Sequence, residues 1–160
     1  MATLRIKKPK RVTIQLDTMQ TLIEGDVLEQ LAKLPATSFD CVVTSPPYNL
    51  GKNYGPKVND NKSREEYLAW IYKVFLACKR VLTDEGSLFI NMGYSNVNPW
   101  IAMDVAQILR PIFHLQNQIT WIKNITIDDT SVGHFKPIRS ARFITPTNEM
   151  IYHFTKNGKV

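Results

Sequence analysis

The stretch Asp40-Cys-Val-Val-Thr-Ser-Pro-Pro-Tyr48 joins a short apolar run to a rigid polar turn. The run over Asp40–Thr44 is nearly continuous in apolar character, which is typical of a strand buried on both faces of a parallel sheet. Pro46 and Pro47 then fix two φ angles and remove two N–H donors. The pattern therefore predicts a buried strand that ends in a turn rich in unopposed carbonyl acceptors.

Strand-like and helix-like segments alternate on both sides of this stretch. Helices are predicted over Val27–Leu34, from the capping box Ser63-x-x-Glu66 along an apolar stripe to Leu82, and from an N-cap at Asn98 to about Arg110. Further strands are predicted at Thr21–Ile23, Ser87–Asn91, Leu115–Lys123 and Asn148–Thr155, with long loops over 49–62 and 124–146. The alternation predicts the α/β class with a largely parallel sheet.

Composition and charge narrow the class of protein. The 160 residues are 44% apolar and 21% charged, which is ordinary for a globular chain and excludes a disordered, collagen-like or membrane-embedded protein. Five of the 20 basic residues precede residue 12, and all 14 acids follow it. Residues 1–20 are therefore expected to be a basic arm that holds phosphates, the alternative being a frayed, solvated terminus.

The two cysteines, Cys41 and Cys78, both lie in apolar segments. This placement favours reduced core cysteines in a cytoplasmic protein over a disulfide framework. No metal site is predicted.

The turn after the apolar run combines three chemical features. Ser45 adds a hydroxyl acceptor to the proline carbonyls, and Tyr48 adds a flat aromatic face. In open α/β sheets, ligands bind beyond the carboxyl ends of the strands, where this turn lies. The turn suits a planar group with an exocyclic amine, whose two hydrogens need two acceptors. A rigid surface turn without a ligand is the alternative.

Thr44-Ser-Pro-Pro-Tyr48 resembles the catalytic motif of the amino-group DNA methyltransferases, which modify the exocyclic nitrogen of cytosine or adenine with S-adenosylmethionine. The segments 24–40, 86–91 and 133–156 resemble further family motifs in the order of the permuted class, where the catalytic half precedes the cofactor half. The resemblance implies a Rossmann-like methyltransferase fold, with a mostly parallel sheet and helices on both faces.

The same resemblance implies roles for individual residues. Ser45 and the carbonyl of Pro46 would hold the target amine, with Pro47 completing the motif, and Tyr48 would stack on a base flipped out of the duplex. The methyl group would move by direct displacement, so that neither cysteine acts as a nucleophile. Asp26 and Ser45 would contact the cofactor, although Asp26 is equally suited to cap the helix that follows it.

The identity of the first motif residue bears on the target base. Ser45 stands where the adenine-modifying branch mostly carries aspartate, so the resemblance favours N4 of cytosine over N6 of adenine. A non-catalytic DNA-binding or regulatory subunit that keeps the fold is a further alternative, and a protein or RNA methyltransferase a weaker one.

Basic residues in the two long loops are the expected contacts with double-stranded DNA. Phosphates attract such groups where they flank a base pocket. They are Lys52, Lys57, Lys62 and Arg64 after the motif, and Lys136, Arg139 and Arg142 with His134 in the second loop.

The glycine-rich cofactor loop of the family has no counterpart in this sequence. The chain has seven glycines, and no two are separated by a single residue. Residues 21–160 are therefore expected to form only the catalytic half of a methyltransferase domain. A second polypeptide or a further segment would supply the cofactor half and sequence recognition, and the sheet of this chain would have an exposed apolar edge.

Overall fold

The computed structural model describes residues 21–55, 58–127, 130–133, 142 and 147–158. The helices are α1 (Val27–Lys33), α2 (Arg64–Val81) and α3 (Ile101–Leu109). The strands are β1 (Phe39–Thr44), β2 (Leu82–Met92), β3 (His114–Ile122), β4 (Asn124–Ile127), β5 (Thr130–Gly133) and β6 (Asn148–Thr155). The proposed basic arm over residues 1–20 lies outside the described residues.

Four of the described strands form one sheet in the order β1-β2-β6-β3, and the other two, β4 and β5, pair in a separate hairpin. β1 and β2 are parallel, whereas β6 runs antiparallel to both of its neighbours, β2 and β3. Three strands of the four therefore point the same way, which confirms the predicted α/β class with a largely parallel sheet. Because β6 is reversed, its first residues lie at the edge where the other three strands end.

Local sequence signals set the helix ends. The Ser63 hydroxyl accepts from the Glu66 backbone N–H, and the Glu66 carboxylate accepts from the Ser63 backbone N–H, so the predicted capping box is present. The Asp26 carboxylate accepts from the backbone N–H groups of Leu28 and Glu29 at the start of α1. Each cap satisfies donors that a helix N-terminus leaves without an intrahelical partner.

One hydrophobic core lies between the helices and one face of the sheet. The predicted stripe of α2, including Ile71 and Phe75, is buried and shares a cluster with Leu88, Ile90 and Phe154 of the sheet. α3 contributes to the same cluster, and α1 packs two half-buried leucines against it. In the described part of the chain, all three helices thus cover the same face, whereas the resemblance implied helices on both faces. The opposite face, which carries Cys41, Val43, Phe89, Asn91, Glu149 and His153, is called the bare face below.

The outer strand β1 corrects the expectation of a strand buried on both faces. Phe39, Cys41 and Val43 are exposed, Val43 to 75%, and no residue of α1 is buried. Cys78 is a core cysteine as predicted, whereas Cys41 is not. The predicted strand is confirmed. Burial on both faces would require a further strand beside β1, and none of the described strands pairs with its outer side. This outer side of β1 is called the open edge below.

Three other predictions were wrong in detail. Thr21–Ile23 forms no strand, and Leu22 is exposed. α3 is not capped by Asn98, because the Asn98 backbone bonds to the N–H and hydroxyl of Ser95 in a turn, and the helix begins at Ile101. The segment 124–146 contains the β4–β5 hairpin where only a loop was predicted.

Among the described residues, no helix has both the length and the apolar character needed to cross a membrane.

Candidate active site

Strand register places residues from three strands, β1, β2 and β6, around one point at the carboxyl edge of the sheet. Thr44, the last residue of β1, pairs with Ile90 of β2, so Ser45 follows beside Asn91. Met92 of β2 pairs with Met150, the neighbour of Glu149 on β6. Residues that are far apart in sequence, from 45 to 149, therefore meet at the predicted ligand-binding edge.

A hydrogen-bond network joins the motif turn to β2 and β6. The Ser45 Oγ lies 2.7 Å from the Tyr48 hydroxyl, which in turn donates to Glu149 Oε2 at 3.3 Å. Asn91 Nδ2 donates to the Tyr48 hydroxyl at 2.9 Å and to Glu149 Oε2 at 2.6 Å. The serine and tyrosine of the motif are thus connected to a carboxylate that stands 101 residues away from Tyr48.

The Glu149 carboxylate is held ionised by its partners. Its side chain is only 14% exposed and forms an ion pair with Lys123, which follows β3. Burial acts to raise the pKa of Glu149, but the hydrogen bonds from Lys123 and Asn91 and the charge of Lys123 outweigh it and hold the pKa below its usual value. The Lys123 ammonium also lies over the Trp121 ring, 5.5 Å from its centroid.

Tyr48 is half-buried, and its ring rests against the backbone of Gly93. A Cβ at position 93 would lie 2.7 Å from Cε2 of that ring, so only glycine allows this approach. Burial raises the pKa of Tyr48; the hydrogen bond to Ser45 opposes this shift, and the negative charge of Glu149 adds to it. The phenol therefore stays protonated at neutral pH, with a hydrogen to donate.

The two proline carbonyls of the motif differ in whether they already accept a hydrogen bond. The buried Tyr67 hydroxyl donates to the Pro47 carbonyl at 2.7 Å, which ties the turn to α2. No described residue donates a hydrogen bond to the Pro46 carbonyl. The Pro46 carbonyl is therefore the acceptor that the turn offers to a ligand beside Ser45.

A buried carboxylate shapes the loop that follows the motif. Asp60 is 4% exposed and accepts from the backbone N–H groups of Asn49, Leu50 and Lys52 at 2.8, 3.2 and 2.8 Å. The Asn49 side chain exchanges two further hydrogen bonds with the backbone of Lys62. These bonds hold the loop against the motif, so that Asp60 positions the turn without belonging to it.

Replacing Asp60 with asparagine is expected to lower the free energy of unfolding by about 3 kcal/mol. An amide offers one acceptor oxygen and turns an NH₂ group toward backbone N–H donors, so at least one of the three donors loses its partner. Urea unfolding followed by circular dichroism measures the change. The matched control is Asp84→Asn, at an exposed carboxylate. Equal stability of the two variants would show that the three backbone bonds do not hold the loop.

A cavity of about 720 Å³ opens beside the motif, between α1, the end of β1 and α2. Asp26 lines it together with Thr44, Ser45 and Pro46. Both N-cap bonds of α1 reach Asp26 Oδ1, so capping leaves Oδ2 to accept from another donor. The size of this cavity is in the range of small-molecule sites, and the cavity walls are mainly apolar with a few polar groups.

The basic residues predicted to contact DNA have different surroundings. Lys52 is exposed, whereas Lys62 donates to the Asn59 carbonyl and lies over the Trp70 ring. Arg142 is exposed in the second loop. Arg64 is held by both carboxylate oxygens of Asp104 on α3, at 2.8 and 2.6 Å. Lys57, His134, Lys136 and Arg139 lie outside the described residues.

Sequence reasoning missed the part of the site that comes from distant strands. Asn91, Gly93, Lys123 and Glu149 were given no role, although the first and last stand in segments that resembled family motifs. Two sequence signals were available. Asn91 is a polar residue at the end of an apolar strand, and Glu149 is a polar residue at the start of the strand that proves to be reversed.

Comparison with known proteins gives a consistent set of similarities. The family model described as DNA methylase, of the N6/N4 type, matches residues 39–160. The chain is 34% identical over 102 residues to the DNA adenine methyltransferase YhdJ of Escherichia coli (strain K12), a match that covers 64% of this chain and 33% of that protein.

Solved structures show the same fold. The crystal structure of TTHA0409 from Thermus thermophilus, assigned as a DNA modification methylase, superposes with a TM-score of 0.63 at 26% identity, over 85% of this chain and 53% of that one. The cytosine-N4-specific PvuII DNA methyltransferase gives a TM-score of 0.58 at 19% identity, over 82% of this chain and 47% of the other, which concerns the fold alone. The expected methyltransferase fold is thereby confirmed. The chain spans about half the length of these two structures.

Proposed function

Because the chain belongs to the N6/N4 DNA methylase family, we propose that it carries the catalytic residues of an S-adenosylmethionine-dependent DNA methyltransferase. The observation that supports this most strongly is the arrangement at the carboxyl edge of the sheet, where the Ser45 hydroxyl and the Pro46 carbonyl stand beside the Tyr48 ring. Two acceptors and an aromatic face are what an exocyclic amine on a planar base requires.

In this proposal each motif residue has a separate task. Ser45 and the Pro46 carbonyl accept the two amine hydrogens and so direct the nitrogen lone pair toward the methyl group of the cofactor. Pro47 keeps the turn rigid, with its own carbonyl held by Tyr67. Tyr48 stacks on the flipped base. The rate enhancement then comes mainly from orientation and from exclusion of water.

The cavity beside the motif suits part of S-adenosylmethionine. Asp26 and Ser45 line it, and the free Oδ2 of Asp26 can accept from a ribose hydroxyl or an amino group. The cofactor supplies a methyl group activated by a positively charged sulfur. The described residues can contact this ligand, but they include no glycine-rich turn. They therefore form one wall of the cofactor site rather than the whole site.

We assign the target as N4 of cytosine, because Ser45 replaces the aspartate that is common in the adenine-modifying branch. A serine hydroxyl accepts a hydrogen bond but is a poor acceptor for a full proton. The alternative, N6 of adenine, is favoured by the similarity to an adenine methyltransferase. The methyltransferase would act in the cytoplasm on double-stranded DNA.

The basic residues of the two loops are the proposed phosphate contacts. Lys52 is well placed because its backbone is held by Asp60 while its side chain is exposed. We propose the same role for Lys57, Lys62, Lys136, Arg139 and Arg142, with His134 beside the base, and for the basic arm over residues 1–20.

A further part of the enzyme is proposed to cover the open edge and the bare face. Residues 21–160 would then be the catalytic half of the domain, completed by a second polypeptide or by a further segment with the cofactor loop. The exposure of Phe39 and Val43 supports this, since apolar residues of a strand are rarely left on an unpaired edge. The half-length match to related structures supports it as well.

Thiol labelling tests this proposal, because Cys41 lies on the bare face next to the open edge. In the chain alone, Cys41 is expected to react rapidly with a disulfide reagent, and the completing part should slow its reaction at least about 10-fold by covering it. Cys78 is the internal control, since it is buried and burial raises its pKa to about 11. Equal Cys41 reactivity with and without a completing part that restores activity would contradict the proposal.

The activity itself is tested by tritium transfer from labelled S-adenosylmethionine to unmethylated, mixed-sequence DNA, with and without candidate completing chains. We expect incorporation that depends on Ser45. A protein that binds DNA in a salt-sensitive manner but incorporates no tritium under any of these conditions would instead be a non-catalytic DNA-binding or regulatory subunit.

A further inference from the structure

The hydrogen bonds of the site form a line that leads away from the motif serine. It runs from Ser45 Oγ to the Tyr48 hydroxyl at 2.7 Å and on to Glu149 Oε2 at 3.3 Å. The line crosses from the turn after β1 to β6. Asn91 on β2, the strand between them, bonds both Tyr48 and Glu149.

The donors and acceptors of this line fix the direction of its protons. Asn91 Nδ2 and the Lys123 ammonium can only donate, and both donate to Glu149, which is therefore an acceptor. Tyr48 donates its one hydroxyl proton to that carboxylate. The phenol oxygen already accepts from Asn91 Nδ2, and its second lone pair accepts from the Ser45 hydroxyl. Ser45 is left with its Oγ lone pairs, which makes it an acceptor for an incoming amine.

The orientation of the Asn91 amide supports this assignment. Its Oδ1 is buried and has no hydrogen-bond partner among the described residues. Leaving an amide oxygen unpaired costs free energy, and rotating the amide would turn that oxygen toward the Glu149 carboxylate, which cannot donate. The amide is thus held so that Nδ2 keeps Tyr48 and Glu149 in line.

We propose that Glu149, acting through Tyr48 and Ser45, is the final acceptor of the proton that leaves the target amine. The inference rests on the proposed function, which by itself leaves this proton without a destination because serine is a poor acceptor for it. Glu149 is a positioning residue in this scheme, since it contacts neither the base nor the methyl group.

The step balances in atoms and charge. The amine nitrogen forms a bond to the methyl carbon with its lone pair, and the carbon–sulfur bond breaks with its electron pair left on sulfur. The nitrogen then bears a positive charge and gives one hydrogen to Ser45 Oγ. Ser45 passes its own proton to Tyr48, and Tyr48 passes its proton to Glu149. A cationic sulfur, a neutral amine and a carboxylate thus become a thioether, a neutral methylated amine and a carboxylic acid.

The surroundings of Glu149 suit this role. Its depressed pKa keeps the carboxylate ionised before each reaction, and a protonated, methylated ring amine is a much stronger acid than any carboxylic acid. Lys123 balances the negative charge in the resting site. The carboxylic acid formed at Glu149 can then return its proton to water, because the Lys123 side chain beside it is 41% exposed.

Glu149→Gln is the test variant, because glutamine keeps the shape of the side chain and removes its capacity to take a proton. The turnover number for methyl transfer is expected to fall about 10²-fold, with KM for DNA and affinity for S-adenosylmethionine unchanged. Tyr48→Phe cuts the line while keeping the ring and should lose as much, the double variant should lose no more than either alone, and Glu149→Asp should recover part of the loss. The matched control is Asp84→Asn, another lysine-paired carboxylate, about 20 Å away at the other end of β2.

A second readout needs no activity. The Tyr48 phenol is expected to ionise at lower pH in Glu149→Gln than in the unchanged protein or in Asp84→Asn, because the carboxylate charge that opposes its ionisation is gone. NMR of ¹³C-labelled tyrosine, assigned with Tyr48→Phe, measures this. An unchanged Tyr48 titration, an unchanged turnover number, or a raised KM at full turnover would overturn the role of Glu149. Failure of the unchanged protein to methylate DNA would instead overturn the proposed function.

Discussion

Replacing Ser45 with alanine is expected to lower the turnover number for methyl transfer by about 10³-fold, with little change in DNA binding. The hydroxyl is one of two acceptors for the target amine, and its position 2.7 Å from the Tyr48 hydroxyl makes it the entry to the line toward Glu149. Without it, the amine loses both its orientation and its proton acceptor. Single-turnover kinetics with labelled S-adenosylmethionine separates this effect from binding and product release.

Ser38→Ala is the control for this variant. Ser38 is an exposed serine whose hydroxyl donates to the Pro35 carbonyl, and it lies at the opposite end of β1 from the motif turn, so its loss should leave the turnover number unchanged. A Ser45→Ala protein that transfers methyl groups at the original rate would contradict the role given to the motif serine.

Replacing Phe75 with alanine is expected to lower the free energy of unfolding by about 3–5 kcal/mol. Phe75 is fully buried in the middle of α2, in the cluster that joins the helices to β2 and β6. Its removal leaves a cavity that a packed core fills only in part. Chemical denaturation measures the difference, with Leu76→Ala as the control on the same helix.

Leu76 is 47% exposed, so its truncation should change the free energy of unfolding by less than about 1 kcal/mol. A Phe75→Ala protein as stable as Leu76→Ala would show that the cluster around α2 is not the core on which the sheet depends.

The parts of the fold that were predicted correctly are those set by local sequence. The capping box of Ser63 and Glu66 and the N-cap at Asp26 each involve residues within three positions of one another, so their spacing alone identifies them. The bounds of β6 were predicted without error, because the segment over 124–146 has no clear period and the strand pattern begins after it. The motif turn was also placed correctly after β1.

The parts that could not be predicted depend on register or on neighbours. Glu149 meets Tyr48 only because β6 is reversed and pairs with β2, and no pattern within β6 reveals this. The burial of β1 depends on a partner for its outer side, so an apolar run could not distinguish a covered strand from the open edge. The hairpin of β4 and β5 pairs short segments without a clear period, which is why only a loop was predicted there.

The most direct test of the proposed function is the identity of the nucleoside that receives the methyl group. DNA treated with the chain, together with any part needed to complete it, and methyl-labelled S-adenosylmethionine is digested to nucleosides and analysed by mass spectrometry. We predict label in N4-methylcytosine, and its absence with Ser45→Ala. Label in N6-methyladenine would contradict the assignment to cytosine, and label on a ring carbon such as C5 would contradict the amine-directed site itself.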